Sequence, residues 1–190
     1  HIENRLVTQA GDWGTFVDNR VDSWEENNLS EAERENKKEE LKNLIADQKI
    51  GKTGYIYVLG GTGDNKGHYI VSKNRERDGE DLLQAQDADG DYFIQEIVNR
   101  SVDNPDEVFL KEYPWQNPGE DSARPKVAAI RYVEELDWVI GVSAYYSDFT
   151  GPSADAKSDA INKLAIGGGL LIVFAIGASL VYGRSISQPL

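Results

Sequence analysis

From Leu164 to Tyr182 the chain reads LAIGGGLLIVFAIGASLVY, 19 residues without a charge. An α-helix needs about that length to cross the hydrocarbon of a bilayer, and Lys163 and Arg184 bracket the run. Its glycines are tolerated in a membrane helix, and its place near the C-terminal end does not suit a signal peptide. The expectation is a transmembrane helix over residues 161–183, with residues 1–160 on one side of the membrane. A buried helix of a soluble domain is the alternative for such a run. Lys157 and Lys163 on one flank and Arg184 on the other do not set its orientation.

The 190 residues suffice for one domain of ordinary size plus this appendage. There is no cysteine, which excludes disulfide frameworks and thiolate metal sites. Methionine is absent even at position 1, so the chain is expected to be a fragment or a processed form. A formal charge of −13 argues against nucleic acid and anionic lipid as partners. Small anions stay possible, because exposed charges are screened beyond about 10 Å at 0.1 M salt.

The N-terminal part reads as helix. Leu6, Ala10, Trp13, Val17, Val21 and Trp24 recur every three or four residues and form one apolar stripe. Gly11 and Gly14 weaken this helix and suggest a close approach by another backbone. A second helix begins at Ser30, where Ser30 and Glu33 match a capping box, and Leu41, Leu44 and Ile45 form its apolar side. The period then changes from helix to strand. GYIYVLG places Tyr55 and Tyr57 on one face and Ile56 and Val58 on the other. HYIVS is its return strand. DYFIQEIVNRS reads as a short helix with Phe93, Ile94, Ile97 and Val98 inward, and EVFLKEYPW, KVAAIRYVEE and DWVIGVSAYY are three more strands. The implied fold is α+β, an antiparallel sheet covered by helices.

Most chemistry-bearing motifs fail on spacing. GGTGDNKG lacks the Gly-Lys-Ser/Thr of a phosphate loop and leads into a strand. DADGD, with Asp87, Asp89 and Asp91, puts its glycine two places too early for an EF-hand, and capping the next helix explains these acids more simply than calcium. With His1 and His68 as the only histidines and no cysteine, a zinc site is not expected, and one internal histidine does not argue for a Ser-His-Asp triad. No catalytic residue, metal or cofactor is expected, and the chain is read as not an enzyme.

The stretch YPWQNPGED offers more. Pro118 and Gly119 fit the second and third places of a type II turn. Pro114 removes a backbone donor, so its strand must be an edge or a bulge. Tyr113 and Trp115 then share a face, and the hairpin return brings Arg124 and Lys126 beside them. Arg77 and Asp78 lie on a polar loop. Aromatic walls with a few convergent polar groups suit a small-ligand pocket, although the same aromatics serve equally well as core.

In order, KIGKTGYIYVLG, RDGED, DADGDYFIQEIV, YPWQNPGED with RPKVAAIRY, and LDWVIGVSAYYSDF resemble the extracellular Cache sensor domain of methyl-accepting chemotaxis proteins and related sensor kinases. The likeness runs from about Lys49 to Phe149. Leu136 replaces a tryptophan of the family pattern. After the apolar run, GRSISQPL resembles the entry to a HAMP linker, with Pro189 as its proline. The resemblance implies a long N-terminal helix (within residues 1–48) on a PAS-like antiparallel sheet (49–150), the membrane helix (161–183) and the start of a HAMP-type linker (184–190). It also implies an extracytoplasmic module of the cell membrane that forms a homodimer and binds a small organic ligand, often a carboxylate or an amino-acid-like molecule. The ligand-binding set it points to is Tyr55, Tyr57, His68, Arg77, Asp78, Tyr113, Trp115, Lys126 and Tyr145. The rival expectation is a membrane-anchored module that assembles with itself or another protein and keeps only a vestigial pocket.

Overall fold

The computed structural model describes residues 2–149 apart from residues 88 and 118. The expected membrane helix at 161–183 and linker at 184–190 lie outside the described residues, as does Pro118 of the expected turn. Among the described residues no helix is long and apolar enough to cross a membrane.

Helix α1 (Ile2–Glu26) buries Leu6, Ala10, Gly14, Val17, Val21 and Trp24, the stripe legible from spacing with one exchange. Trp13 is only half-buried and meets Phe16 edge-on at 5.4 Å. Gly14 takes its place against the sheet, and the reason is a side chain and not a backbone. A Cβ there would lie 2.5 Å from Arg131 Cγ, so the glycine opens a channel for Arg131 to run beneath the helix. Arg131 then reaches Asp18, 3.8 Å away, and donates to the Pro105 carbonyl. At Gly11 a Cβ would meet nothing within 4 Å. Helix α2 (Glu31–Ala46) begins at the expected capping box: Glu33 N–H donates to Ser30 Oγ, and Ser30 N–H donates to Glu33 Oε2 at 2.9 Å. Leu41 and Ile45 are buried, whereas Leu44 is 41% exposed.

Six strands form one antiparallel sheet: β1 (Lys49–Ile50), β2 (Gly54–Gly60), β3 (Tyr69–Val71), β4 (Val108–Trp115), β5 (Arg124–Val133) and β6 (Trp138–Tyr145). The order is β1-β2-β6-β5-β4, with β3 also paired to β2. Strand β4 is therefore an edge, as Pro114 requires, and Pro114 faces Pro125 at a corner where neither proline interrupts a ladder on both sides. Alternation divides the sheet's residues between two cores. On one face Ile56, Val58, Val127, Ala129, Ile140 and Val142 pack beneath α1 and α2. On the other, Tyr55, Tyr57, Ala128, Ile130, Val139 and Tyr145 pack with Phe93, Ile94, Ile97 and Val98 of helix α3 (Phe93–Asp103). The acids before α3 do not cap it, because the N-cap is Tyr92 and makes no side-chain cap bond. Asp87 instead closes its own loop, accepting from the amides of Asp89 and Asp91 at 2.9 and 3.0 Å.

Small residues at the centre of the second face make room for large rings. Gly141 lies opposite Tyr57 across the β2–β6 ladder, and a Cβ on it would fall 2.2 Å from Tyr57 Cζ. The tyrosine ring lies flat over that glycine. Gly141→Ala should cost about 1–3 kcal/mol by overpacking. In urea unfolding, Gly141→Ala with Tyr57→Ala should cost clearly less than the sum of the two single changes, as coupled neighbours do.

Candidate ligand-binding site

Cross-strand register builds the site. Tyr113 of β4, Lys126 of β5 and Tyr145 of β6 stand in one row across three strands on the α3-side face. The next row holds Ala128, Ser143 and Tyr55, and the one beyond holds Ile130, Gly141 and Tyr57. Ala128 and Ser143 leave space for the long lysine chain to lean toward β2. There Lys126 Nζ donates to Tyr55 Oη at 2.7 Å. The ammonium lies 3.9 Å from the centre of the Tyr55 ring and 5.4, 5.5, 5.8 and 6.0 Å from those of Tyr145, Tyr57, Tyr113 and Trp115. Six of the expected ligand residues are thus brought together, five rings forming an aromatic box around the sixth, Lys126.

Lys126 is 2% exposed. Among the described residues it forms no salt bridge, and one hydroxyl accepts from a group with three donors. Burial pushes its pKa well below the ordinary lysine value, the positive charges of Lys73 and Arg124 push the same way, and Glu120 opposes them. The phenols around it move the other way. Burial raises Tyr55, Tyr57, Tyr113 and Tyr145, and takes Tyr69 up to about 12. The box is a set of neutral hydroxyls and rings about an amine that touches no carboxylate among the described residues, with Glu120 acting on it only from a distance.

Beside the box opens a cleft of about 670 Å³, walled by Arg77, Gln86, Asp87, Trp115, Asn117 and Glu120 among others. Trp115 and Asn117 belong to both spaces. Asn117 Nδ2 donates to Tyr145 Oη at 2.7 Å, and Tyr55 Oη lies 3.5 Å from Asn117 Oδ1. Gly119, at φ +85°, and the bond from Glu120 N–H to the Asn117 carbonyl form the turn that the sequence suggests. Tyr113 is buried and stacks on Phe93 with centroids 4.3 Å apart, so it serves the core and the box together, whereas Trp115 is half-buried in the cleft wall.

The other expected residues sit differently. Arg77 lines the cleft with its guanidinium 6.0 Å from the centre of the Trp115 ring, but it is closed by a two-point ion pair with Glu80 at 2.5 and 2.6 Å. Asp78 accepts from the Ser72 amide and hydroxyl and from Arg75 Nε, which holds the loop and does not line the cleft. The His68 backbone pairs with that of Asp81 in an isolated antiparallel bridge, and its Nδ1 lies 3.3 Å from the Lys66 carbonyl oxygen. Sequence reading missed Asn117 and Glu120. Asn117 reads as a turn former, and only the fold shows that its amide reaches a buried phenol.

The structure is thus an antiparallel sheet backed by α1 and α2, with a buried polar box on its α3-side face. The chain belongs to the Cache 3/Cache 2 fusion domain family, whose family model matches residues 32–158. Over 122 residues it is 27% identical to the sensor histidine kinase MctS of Rhizobium johnstonii (strain DSM 114642 / LMG 32736 / 3841). That match takes in 64% of this chain and 25% of the kinase, so the chain spans about a quarter of the curated relative's length. The fold is shared with the periplasmic sensor domain of a chemotaxis protein, at TM-score 0.60 and 19% identity over 75% of this chain and 92% of that one. A Cache chemosensory domain described for carboxylic acid recognition matches at TM-score 0.61 and 17% identity, over 76% and 90% of the two chains.

Lys126→Met should leave the ligand-free protein at least as stable as the native one, since an unpaired buried charge is exchanged for an apolar chain of similar length. The sign of the pH dependence follows from the lowered pKa. Between that value and the ordinary 10.5, the unfolded chain binds the proton and the folded one does not. Native stability therefore rises with pH in that window, by up to about 1.4 kcal/mol per unit. Chemical denaturation of both proteins should show the stability gap narrowing as pH is raised from neutral toward, but short of, the tyrosine range.

Proposed function

We propose that this chain is the extracytoplasmic input domain of a transmembrane chemoreceptor or sensor kinase, and that it binds a small organic carboxylate or amino-acid-like anion at Lys126. One observation supports this above the others: a fully buried ammonium with a single hydroxyl partner among the described residues, lying behind the Trp115 and Asn117 wall of a cleft. A carboxylate would supply the missing acceptors through charge-assisted hydrogen bonds, roughly twice as strong as neutral ones. Tyr55, Tyr57, Tyr113, Trp115 and Tyr145 would wall its organic part. Arg77 would add a second positive contact by exchanging Glu80 for the ligand. The carboxylic acid recognition described for one structural neighbour is in keeping with this chemistry.

In this reading residues 161–183 cross the cell membrane, residues 184–190 open a HAMP-type linker, and a conformational signal passes from the sheet to that helix. The paired form would meet along α1, where Trp13, Phe16 and the exposed Leu44 line an apolar hollow. The same hollow favours the rival reading, a self-assembling module with a vestigial pocket, which would form dimers and respond to no small molecule.

A thermal-shift screen of the chain against short organic acids and amino acids separates the two readings, because a ligand at 100 times its dissociation constant stabilises by about 2.7 kcal/mol. For an acid that binds, Lys126→Met should lower affinity about 10- to 100-fold, the worth of a hydrogen bond to a charged group. Arg77→Ala should cost less, because its guanidinium must first leave Glu80. Unchanged affinity in Lys126→Met would remove the carboxylate assignment.

A further inference from the structure

We infer that Tyr146 couples the edge strand β4 to the N-terminal helix α1 through one contested proton, and so links the two faces of the sheet. Its hydroxyl oxygen lies 2.6 Å from Glu112 Oε1 on β4 and 2.9 Å from Glu3 Oε1 in the first turn of α1. A phenol has one proton to donate, and an ionised carboxylate only accepts. With both acids ionised, one of these contacts is a hydrogen bond at any moment and the other sets a lone pair against an anion. Neither Glu3 nor Glu112 forms a salt bridge among the described residues. Burial, followed by Glu112 and Glu3, raises the Tyr146 pKa, which keeps the contested proton on the phenol.

Position makes this arrangement a coupling. Tyr145 and Tyr146 are adjacent but pack into opposite cores, Tyr145 with the box and Tyr146 with the α1 side. On β4, Glu112 precedes Tyr113 and points to the other face by the alternation of a strand. Tyr113 and Tyr145 are the two residues that flank Lys126 in its row. A displacement of either residue relative to Lys126 is therefore transmitted to Glu112 or Tyr146 on the other side. When the Tyr146–Glu112 contact opens, the proton turns to Glu3 and α1 gains a bond to the sheet. When it closes, α1 is released. The coupling itself needs no ligand, and its service as a reporter of occupancy rests on the carboxylate-sensing function proposed above.

The test is a hydrogen-exchange cycle on the full chain without added ligand, comparing native protein, Glu112→Gln, Tyr146→Phe and the double variant. Amides of α1 are read relative to those of β5, so a general loss of stability cancels. A neutral amide is a weaker acceptor than a carboxylate, so Glu112→Gln should turn the proton to Glu3 and slow exchange in α1 roughly three- to tenfold, the range of one ordinary hydrogen bond. In the Tyr146→Phe background the same change should give no slowing. Equal slowing in both backgrounds would mean plain repulsion between two carboxylates and would overturn the proposal, as would unaltered α1 exchange in Glu112→Gln. Titration of the native chain with acetate, followed by tryptophan fluorescence, reads the binding site separately, since either experiment can fail while the other succeeds.

Discussion

A buried ammonium with no salt-bridge partner among the described residues organises the α3-side face of the sheet. Taking such a charge out of water costs several kcal/mol even after the protein relaxes. Against that stand one hydrogen bond to the charged group, worth about 1.5–3 kcal/mol, and ring contacts of about 0.5–2 kcal/mol each that weaken toward 6 Å. Only the Tyr55 ring, at 3.9 Å, is close enough to count in full. These terms leave the group short of balance, in agreement with the downward direction of its pKa. A core chosen for stability alone would place methionine or leucine there. An imbalance kept in the middle of a well-packed sheet is what supports the binding role proposed for Lys126.

The space for that cation comes from what the neighbouring strands leave out. Gly141 lets the Tyr57 ring lie against the sheet, and Ala128 and Ser143 keep the path between Lys126 and Tyr55 clear. Ser143 Oγ also donates to the Tyr55 carbonyl at 2.7 Å, which holds the strand that presents the acceptor phenol. The opposite face is built on another plan, with branched aliphatic residues of β2, β5 and β6 beneath α1. One sheet thus carries a dry aliphatic support on one side and a polar aromatic box on the other. Because alternate residues of the same strand serve the two sides, the faces cannot move independently.

The elements were legible in the sequence because their period and punctuation agree. The α1 stripe, the Ser30–Glu33 box, the inward residues of α3 and the edge position forced by Pro114 all follow from local rules. The shared face of Tyr113 and Trp115, and the nearness of Lys126 to them, follow from one hairpin register. Pairing between distant strands was not legible. Nothing local shows that β2 inserts beside β6, and that neighbour relation brings Tyr55 to the lysine. For the same reason Asn117 passed as a turn residue, Gly14 as a point of backbone approach, and Leu44 as a core residue. Arg77 and Asp78 read alike as loop charges, yet one lines the cleft and the other ties the loop to Ser72, a difference that depends on side-chain direction alone.

Charge shows where discrimination among ligands must arise. The chain as a whole is at −13, so it offers no general attraction to an anion. At the cleft, Arg77 is closed by Glu80, and Arg124 is held by Glu120 at 2.6 Å. Each guanidinium near the mouth already has a carboxylate, and charges beyond about 10 Å are screened at ordinary salt. On the proposed function, an approaching acid would meet paired guanidiniums at the cleft and the exposed ammonium of Lys73, 5.7 Å from the Tyr55 ring. Past Trp115 and Asn117 it would meet Lys126 in a low-dielectric surround, where one contact is worth far more than at the surface. A site arranged in this way gains little from long-range steering. If the proposed function holds, its selectivity would lie in whether a molecule is small and apolar enough behind its carboxylate to reach Lys126 between the rings.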